Sequence, residues 1–447
     1  MSAAGPASST SEAVQPGGAS TTASQGWRGG WRQGLPYGAL GLPLAFVALP
    51  LYVVLPNHYA SEFGAPLALL GAVLLGARLL DAFADPWIGR WVDGWLAHSR
   101  RRVVGVAAIA ATVLAAGFAA LFLPPVRGTA ALLAWCAGML AITYLAYSVL
   151  AVLHQAWGAR LGGDEAQRAA IVSWREGLAL VGVLVASVLP SLTGMTATTL
   201  AFALLLAAGT AALTRAPAPH AGMTPAAREH ADTSLIQPLH SPRFRRLLLV
   251  YLVNGVASAV PATLVLFFIR DRLQAQAWEP LFLASYFAAG ALSMPLWMQL
   301  VRRLGLARSW LIGMALAIAA FVWAAALGPG DVAAYTAVCI ASGLALGADL
   351  TLPGALLAGL IQREGHGGRL EGAYFGWWNF ATKLNLALAA GVALPLLQWA
   401  GYEPGARSDQ ALSSLTLAYC LLPCTLKLIA GSLLWAVWIR PESRKPQ

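Results

Sequence analysis

The chain has 447 residues, of which 58% are hydrophobic and only 11% charged, and its mean hydropathy is +0.65. Those values exclude an ordinary soluble globule and describe a polytopic membrane protein. The formal charge of +10 invites a nucleic-acid reading, but membrane proteins reach the same sum by collecting Lys and Arg in their cytoplasmic loops.

Residues 1–35 are rich in Ser, Ala, Gly and Thr, hold no apolar run, and read as a disordered tail rather than a signal peptide. Runs long enough to cross ~30 Å of hydrocarbon, about 20 residues each, follow near 38–57, 66–88, 103–123, 129–156, 170–190 and 196–214. A polar stretch rich in Pro and His intervenes. Six further runs lie near 245–269, 280–301, 309–327, 332–361, 372–399 and 412–439. The organisation predicted is a six-helix bundle over 36–214, a cytoplasmic linker over 215–243, a second six-helix bundle over 244–440 and a tail over 441–447. Halves arranged as parallel repeats place a solute site between them near the midplane.

With the N-terminus inside, twenty-one Lys and Arg fall in cytoplasmic loops and termini, whereas four, Arg127, Arg270, Arg272 and Arg407, fall on the other side. This bias puts both termini in the cytoplasm and explains the net charge without nucleic acid. Cys136, Cys339, Cys420 and Cys424 lie in apolar segments without CxxC spacing and read as buried, inert thiols. No GxSxG, GxxxxGK[ST] or HExxH motif occurs, and no extramembrane segment is long enough to fold a catalytic domain. An enzyme is therefore not expected, nor a metal site or organic cofactor.

The other four basic residues, Arg78, Arg175, Lys383 and Lys427, fall inside spans, where Asp81, Asp85, Glu176 and Asp349 balance them. Balance is expected where low dielectric makes unpaired charge expensive. At a rise of about 1.5 Å per residue, Asp349, Lys383 and Lys427 each lie 13 or 14 residues from a cytoplasmic arginine, and Asp81 is only slightly shallower. Four ionisable groups on four helices thus share one depth. Asp349, four residues before Pro353, is expected to pair with Lys427 or Lys383. Arg175 and Glu176 lie nearer the cytoplasm and, being adjacent rather than helically spaced, need not pair with each other.

Arg78, Asp81 and Asp85 stand at i, i+3 and i+7 and share a helix face. Each charge costs at least ~2.5 kcal/mol at the centre of a membrane helix, so the stripe must face protein or water. Its unbalanced negative charge calls for a second basic residue, a proton on one Asp, or a bound monovalent cation.

The run Arg78, Asp81, Asp85, Pro86, Gly89, Asp93 resembles the second-helix signature of the glycoside/pentoside/hexuronide:cation symporters. That family includes the melibiose carrier and belongs to the major facilitator superfamily. A second stretch, AWGARLGGDEAQRAAIVSWRE over 156–176, is similar to the family's segment that ends in an arginine lining the sugar cavity, here Arg175. The third match, Arg369, Glu371, Gly372, Tyr374, Phe375, Gly376, Phe380 and Lys383, resembles its helix 11, whose lysine sits between the cation and substrate sites. The departures are an absence of acid between Leu145 and Ala156 on helix 4, where the melibiose carrier contributes a carboxylate, and between Tyr37 and Pro56 on helix 1, where it holds sugar hydroxyls.

The resemblance implies an all-α membrane protein of the major facilitator fold, twelve transmembrane helices in two bundles. It further implies a secondary active transporter in the cell inner membrane that moves a small organic solute by alternating access. Asp81 and Asp85 are expected to bind the coupling cation, with H+ favoured over Na+ because the third carboxylate is missing. Arg78 would tune their affinity, and Lys383 and Arg175 would link the cation to the substrate cavity. His154 is a candidate proton relay, or else a hydrogen-bonded core histidine. Trp157, Trp377, Trp378 and Asn379 are candidates to line a cavity otherwise poor in sugar-binding groups, so an amphipathic solute stands beside a sugar; relatives in the wider family handle lysolipids. Asp93 is expected to pair with the Arg100, Arg101, Arg102 run as a cytoplasmic latch. The partners are the solute, the monovalent cation and the bilayer; no oligomeric state follows, and a monomer suffices. The competing reading, a non-transporting receptor or scaffold, gives the midplane charges no purpose.

Overall fold

The computed structural model describes residue 27 and residues 29–219 and 234–442. Most of the tail expected over 1–35, the centre of the expected linker, and residues 443–447 lie outside the described residues. Secondary structure among the described residues is helical, with no strand.

The first four crossings are α1 (Trp31–Ser61), α2 (Leu67–Leu96), α3 (Arg100–Phe122) and α4 (Thr129–Ala159). A 49-residue helix, Glu165–Leu213, then bends at Gly194, where a φ of 78° suits a residue without a side chain. It makes two crossings, α5 (165–193) and α6 (195–213), so the break expected between 190 and 196 is a glycine kink and not a loop. The second half comprises α7 (Pro242–Arg272), α8 (Gln276–Leu304), α9 (Leu306–Ala324), α10 (Val332–Arg363), α11 (Glu371–Trp399) and α12 (Asp409–Ile439). Nine described helices are long and apolar enough to cross a membrane. The 49-residue helix is one of these and counts twice, and α2 and α11, which carry the central charges, complete twelve.

Side-chain caps start several crossings: Ser99 for α3, Asp164 with Gln167 in a capping box for α5, Ser241 for α7 and Ser408 for α12. Large apolar side chains such as Ile109, Leu192, Leu200 and Leu292 are exposed on the outside, the arrangement lipid contact requires.

The two bundles close on each other at their cytoplasmic ends. There α2 crosses α11 at Gly89, Gly372 and Gly376, and the backbones touch. A Cβ on Gly89 would stand 2.2 Å from the Gly372 carbonyl oxygen, and one on Gly376 would stand 2.5 Å from that of Asp85. The glycines of the two signature stretches are thus the surfaces on which the halves meet. Among the described residues, hydrogen bonds and ion pairs between the bundles lie at the midplane or on the cytoplasmic side. The molecule is sealed toward the cytoplasm.

Candidate functional site

At the midplane α2, α4 and α11 converge on one charged cluster. Lys383 of α11 places its Nζ 2.8 Å from Asp81 Oδ1 and 2.7 Å from Asp85 Oδ2. It also donates to the Ser148 hydroxyl at 2.8 Å, which in turn donates to Asp81 Oδ1 at 2.7 Å. Asp81 is 3% exposed and Asp85 is fully buried. Two carboxylates against one ammonium leave a formal charge of −1, and Asp85 Oδ1 has no hydrogen-bond partner among the described residues. A buried group in that condition is costly unless a proton or cation joins it. Ser148 went unnoticed in the sequence; it lies inside the very stretch, Leu145 to Ala156, searched there for an acid.

Arg78 does not join this cluster. It is exposed one turn away, with its guanidinium 4.3 Å from the centre of the Tyr52 ring, so the stripe read from helical spacing breaks: α1 offers a cation–π surface that draws the arginine off. Arg175 and Glu176, read as free to ignore each other, form a close pair, with Nε and a terminal nitrogen of Arg175 donating to Glu176 Oε1 at 2.9 and 2.6 Å. Both side chains are long enough to fold back along the helix surface.

The other midplane charges make a second, separate cluster inside the second bundle. Lys427 of α12 donates to Asp349 Oδ2 at 2.7 Å, Asn254 Oδ1 at 2.9 Å and the Ser258 hydroxyl at 3.1 Å. Asp349 accepts from Asn254, Ser258 and the Trp310 indole as well. Every ammonium hydrogen has a partner and the net charge is zero. Above this pair opens a pocket of about 860 Å³, mouth included, walled by Tyr286, Phe287, Phe321, Tyr335 and Tyr419.

The cytoplasmic seal joins Asp93, expected as a latch, to Arg160 and Glu371, a pairing that the sequence did not suggest. Asp93 accepts from the backbone N–H groups of Gly372 and Ala373 at 2.7 and 2.8 Å, at the positive N-terminal end of α11. Arg160, which caps the end of α4, lies 3.3 Å from Asp93 and 2.9 Å from Glu371. Nearby, Glu165 accepts from the Leu306 N–H at 2.9 Å and faces Arg363 at 3.4 Å. The expected pairing of Asp93 with Arg100, Arg101 and Arg102 does not occur here, because the glycine crossing carries Asp93 toward α11. Arg100 instead donates to the carbonyls of Thr214 and Ala216.

Two aromatic assignments change as well. Trp157 is fully buried and its indole N–H donates to the Pro217 carbonyl at 3.0 Å. Trp377 does the same to Leu235 at 3.0 Å. Both sit at the cytoplasmic level and fasten the two ends of the inter-bundle connection, so they do not line a midplane cavity. Trp378 stacks on Tyr251 at 3.7 Å, and Asn379 beside it is half-buried. His154 exchanges bonds with α1: its Nε2 donates to the Tyr37 carbonyl at 2.7 Å, and the Tyr37 hydroxyl donates to the His154 carbonyl at 3.1 Å. No acid is among these partners, and the buried His154 Nδ1 has no hydrogen-bond partner among the described residues. His58, at the outer end of α1, is a second histidine within a crossing.

Twelve crossings in two bundles, meeting around a midplane ion cluster and sealed on one side, define a membrane transport protein of the major facilitator fold. The chain belongs to the MFS/sugar transport protein family, whose model matches residues 35–440. It is 25% identical over 166 residues to the sodium-dependent lysophosphatidylcholine symporter 1-A of Danio rerio, covering 35% of this chain and 30% of that one. Over 171 residues it is 25% identical to the sodium-dependent lysophosphatidylcholine symporter 1 of Homo sapiens, 37% of this chain and 31% of that one. The chain thus spans about a third of the length of these curated relatives. Among solved structures, a bacterial homologue of the iron transporter ferroportin in its outward-facing state superposes with a TM-score of 0.67 at 18% identity, over 92% of this chain and 99% of that one. The E. coli fucose:proton symporter gives 0.63 at 12% identity, over 89% and 98%.

Proposed function

We propose that this protein is a cation-coupled symporter of the melibiose-carrier-like kind, carrying a small organic solute such as a sugar across an inner membrane by alternating access. The observation that carries this reading is Lys383 of one bundle held between Asp81 and Asp85 of the other, with one negative charge left over. One proton or one Na+ neutralises that charge. Its arrival weakens the hold of the two carboxylates on Lys383 and so loosens the midplane tie between the bundles. The solute then decides whether the halves can rock past each other. The names of the two sodium-dependent relatives favour Na+, whereas the serine standing where a third carboxylate was sought favours H+.

A second reading, an amphipathic solute, draws on the aromatic pocket above Asp349 and on the lysophosphatidylcholine symporters. Tryptophan fluorescence separates these readings, since the chain has 17 tryptophans. Purified protein is titrated with Na+ and separately with pH, wild type beside Asp81→Asn plus Asp85→Asn. A saturable Na+ response absent from the variant identifies sodium coupling, and a pH response alone, likewise absent, identifies proton coupling. An identical response in both proteins removes the coupling role of the pair. Uptake of labelled sugars against labelled lysolipids then assigns the solute.

A further inference from the structure

At the cytoplasmic ends of α7, α10 and α12 the described surface opens into a pocket of about 1330 Å³, mouth included, lined by Arg243, Arg246, Leu360, Arg363, Val437 and Trp438 together with Pro441. Arg243 and Arg246 are three residues apart and share a helix face. Arg243 meets Glu364 at 3.0 Å and Arg363 meets Glu165 at 3.4 Å, while Arg246 is exposed and has no acidic partner among the described residues. The positive charge of Arg246 thus sits uncompensated among the described residues, beside an apolar wall of Leu360, Val437 and Trp438. The level is where aromatic rings and arginines meet lipid headgroups. Guanidinium groups bind phosphate through paired N–H donors, and the apolar wall beside them suits a glycerol backbone and the start of an acyl chain. A free phosphate would leave that wall unused.

We propose that this pocket binds one anionic phospholipid of the cytoplasmic leaflet, its phosphate on Arg243 and Arg246 and its glycerol and upper chain against Trp438 and Val437. The site borders the cytoplasmic seal at Arg363 and does not depend on which solute or cation is carried.

The test is native mass spectrometry of the full chain released from detergent, titrated with phosphatidylglycerol, with phosphatidylcholine and with inorganic phosphate. Wild type should retain a first phosphatidylglycerol about tenfold more tightly than phosphatidylcholine, given the attraction of each arginine to an anionic surface. Arg243→Gln plus Arg246→Gln should abolish the preference. Arg302→Gln plus Arg303→Gln, which removes the same charge at the end of α8, should preserve it. The single Arg246→Gln, at a side chain without an acidic partner, serves if the double variant does not fold. Equal loss in both double variants would mean diffuse surface charge and overturn the proposal. Displacement of the lipid by millimolar phosphate would overturn it too, since the site would then be one for a free anion.

Discussion

Two ion clusters share the middle of this membrane protein, and they are built to opposite ends. The pair inside the second bundle, Asp349 with Lys427, has equal charges and a full set of partners, and all its helices belong to one rigid half. The cluster of Asp81, Asp85 and Lys383 joins the two halves, carries a surplus negative charge and leaves Asp85 Oδ1 with neither hydrogen bond nor ion pair among the described residues. Saturation makes a fastening; an unfilled valence between the halves is where the proposed coupling ion would act.

The comparison is broken most severely at the saturated pair. Lys427→Met strands Asp349 in the interior, and the expected loss is about 3–5 kcal/mol of stability, read as a collapse of folded, monodisperse protein on size exclusion. Adding Asp349→Leu should recover much of it. Next comes Asp81→Asn, which converts the bridging cluster into a neutral one-to-one pair of Lys383 and Asp85. Thermal stability should hold or rise, while cation-driven uptake falls by roughly tenfold or more, as expected for the loss of about 1.4 kcal/mol or more of differential ion binding. Unchanged coupled uptake would mean the two clusters are equivalent after all. The mildest change, Ser148→Ala, removes one hydroxyl that both Asp81 and Lys383 use. A loss of about 1 kcal/mol should move the midpoint of the cation titration by roughly fivefold without ending transport.

Sequence carried the outline of this molecule and the depth of its charges, but not their directions. Hydropathy and the arginine bias sufficed for two sets of six crossings, since both depend only on composition along the chain. Counting residues from the cytoplasmic arginines predicts one level for Asp81, Asp349, Lys383 and Lys427, yet rotation about each helix axis decides who meets whom. That rotation separated four groups into two clusters, turned Arg78 toward Tyr52, and sent Trp157 and Trp377 to backbone carbonyls. Ser148 was invisible for another reason: a lone hydroxyl in an apolar helix looks the same whether it bonds its own backbone or a neighbour's carboxylate. Arg160 and Glu371, 211 residues apart, became partners only through the tertiary crossing at Gly89 and Gly372.

The two indole bonds at the cytoplasmic face have a mechanical meaning. Trp157 holds Pro217 to the first half and Trp377 holds Leu235 to the second, so the connecting segment is pinned once to each moving body, close to the seam where they part. The two bonds therefore mark one fixed point on each leaf of a door. Spectroscopic labels at 217 and 235 would record the swing of the door without touching ion or solute, and a ligand that grips the segment between those pins would be pulling on both leaves at once.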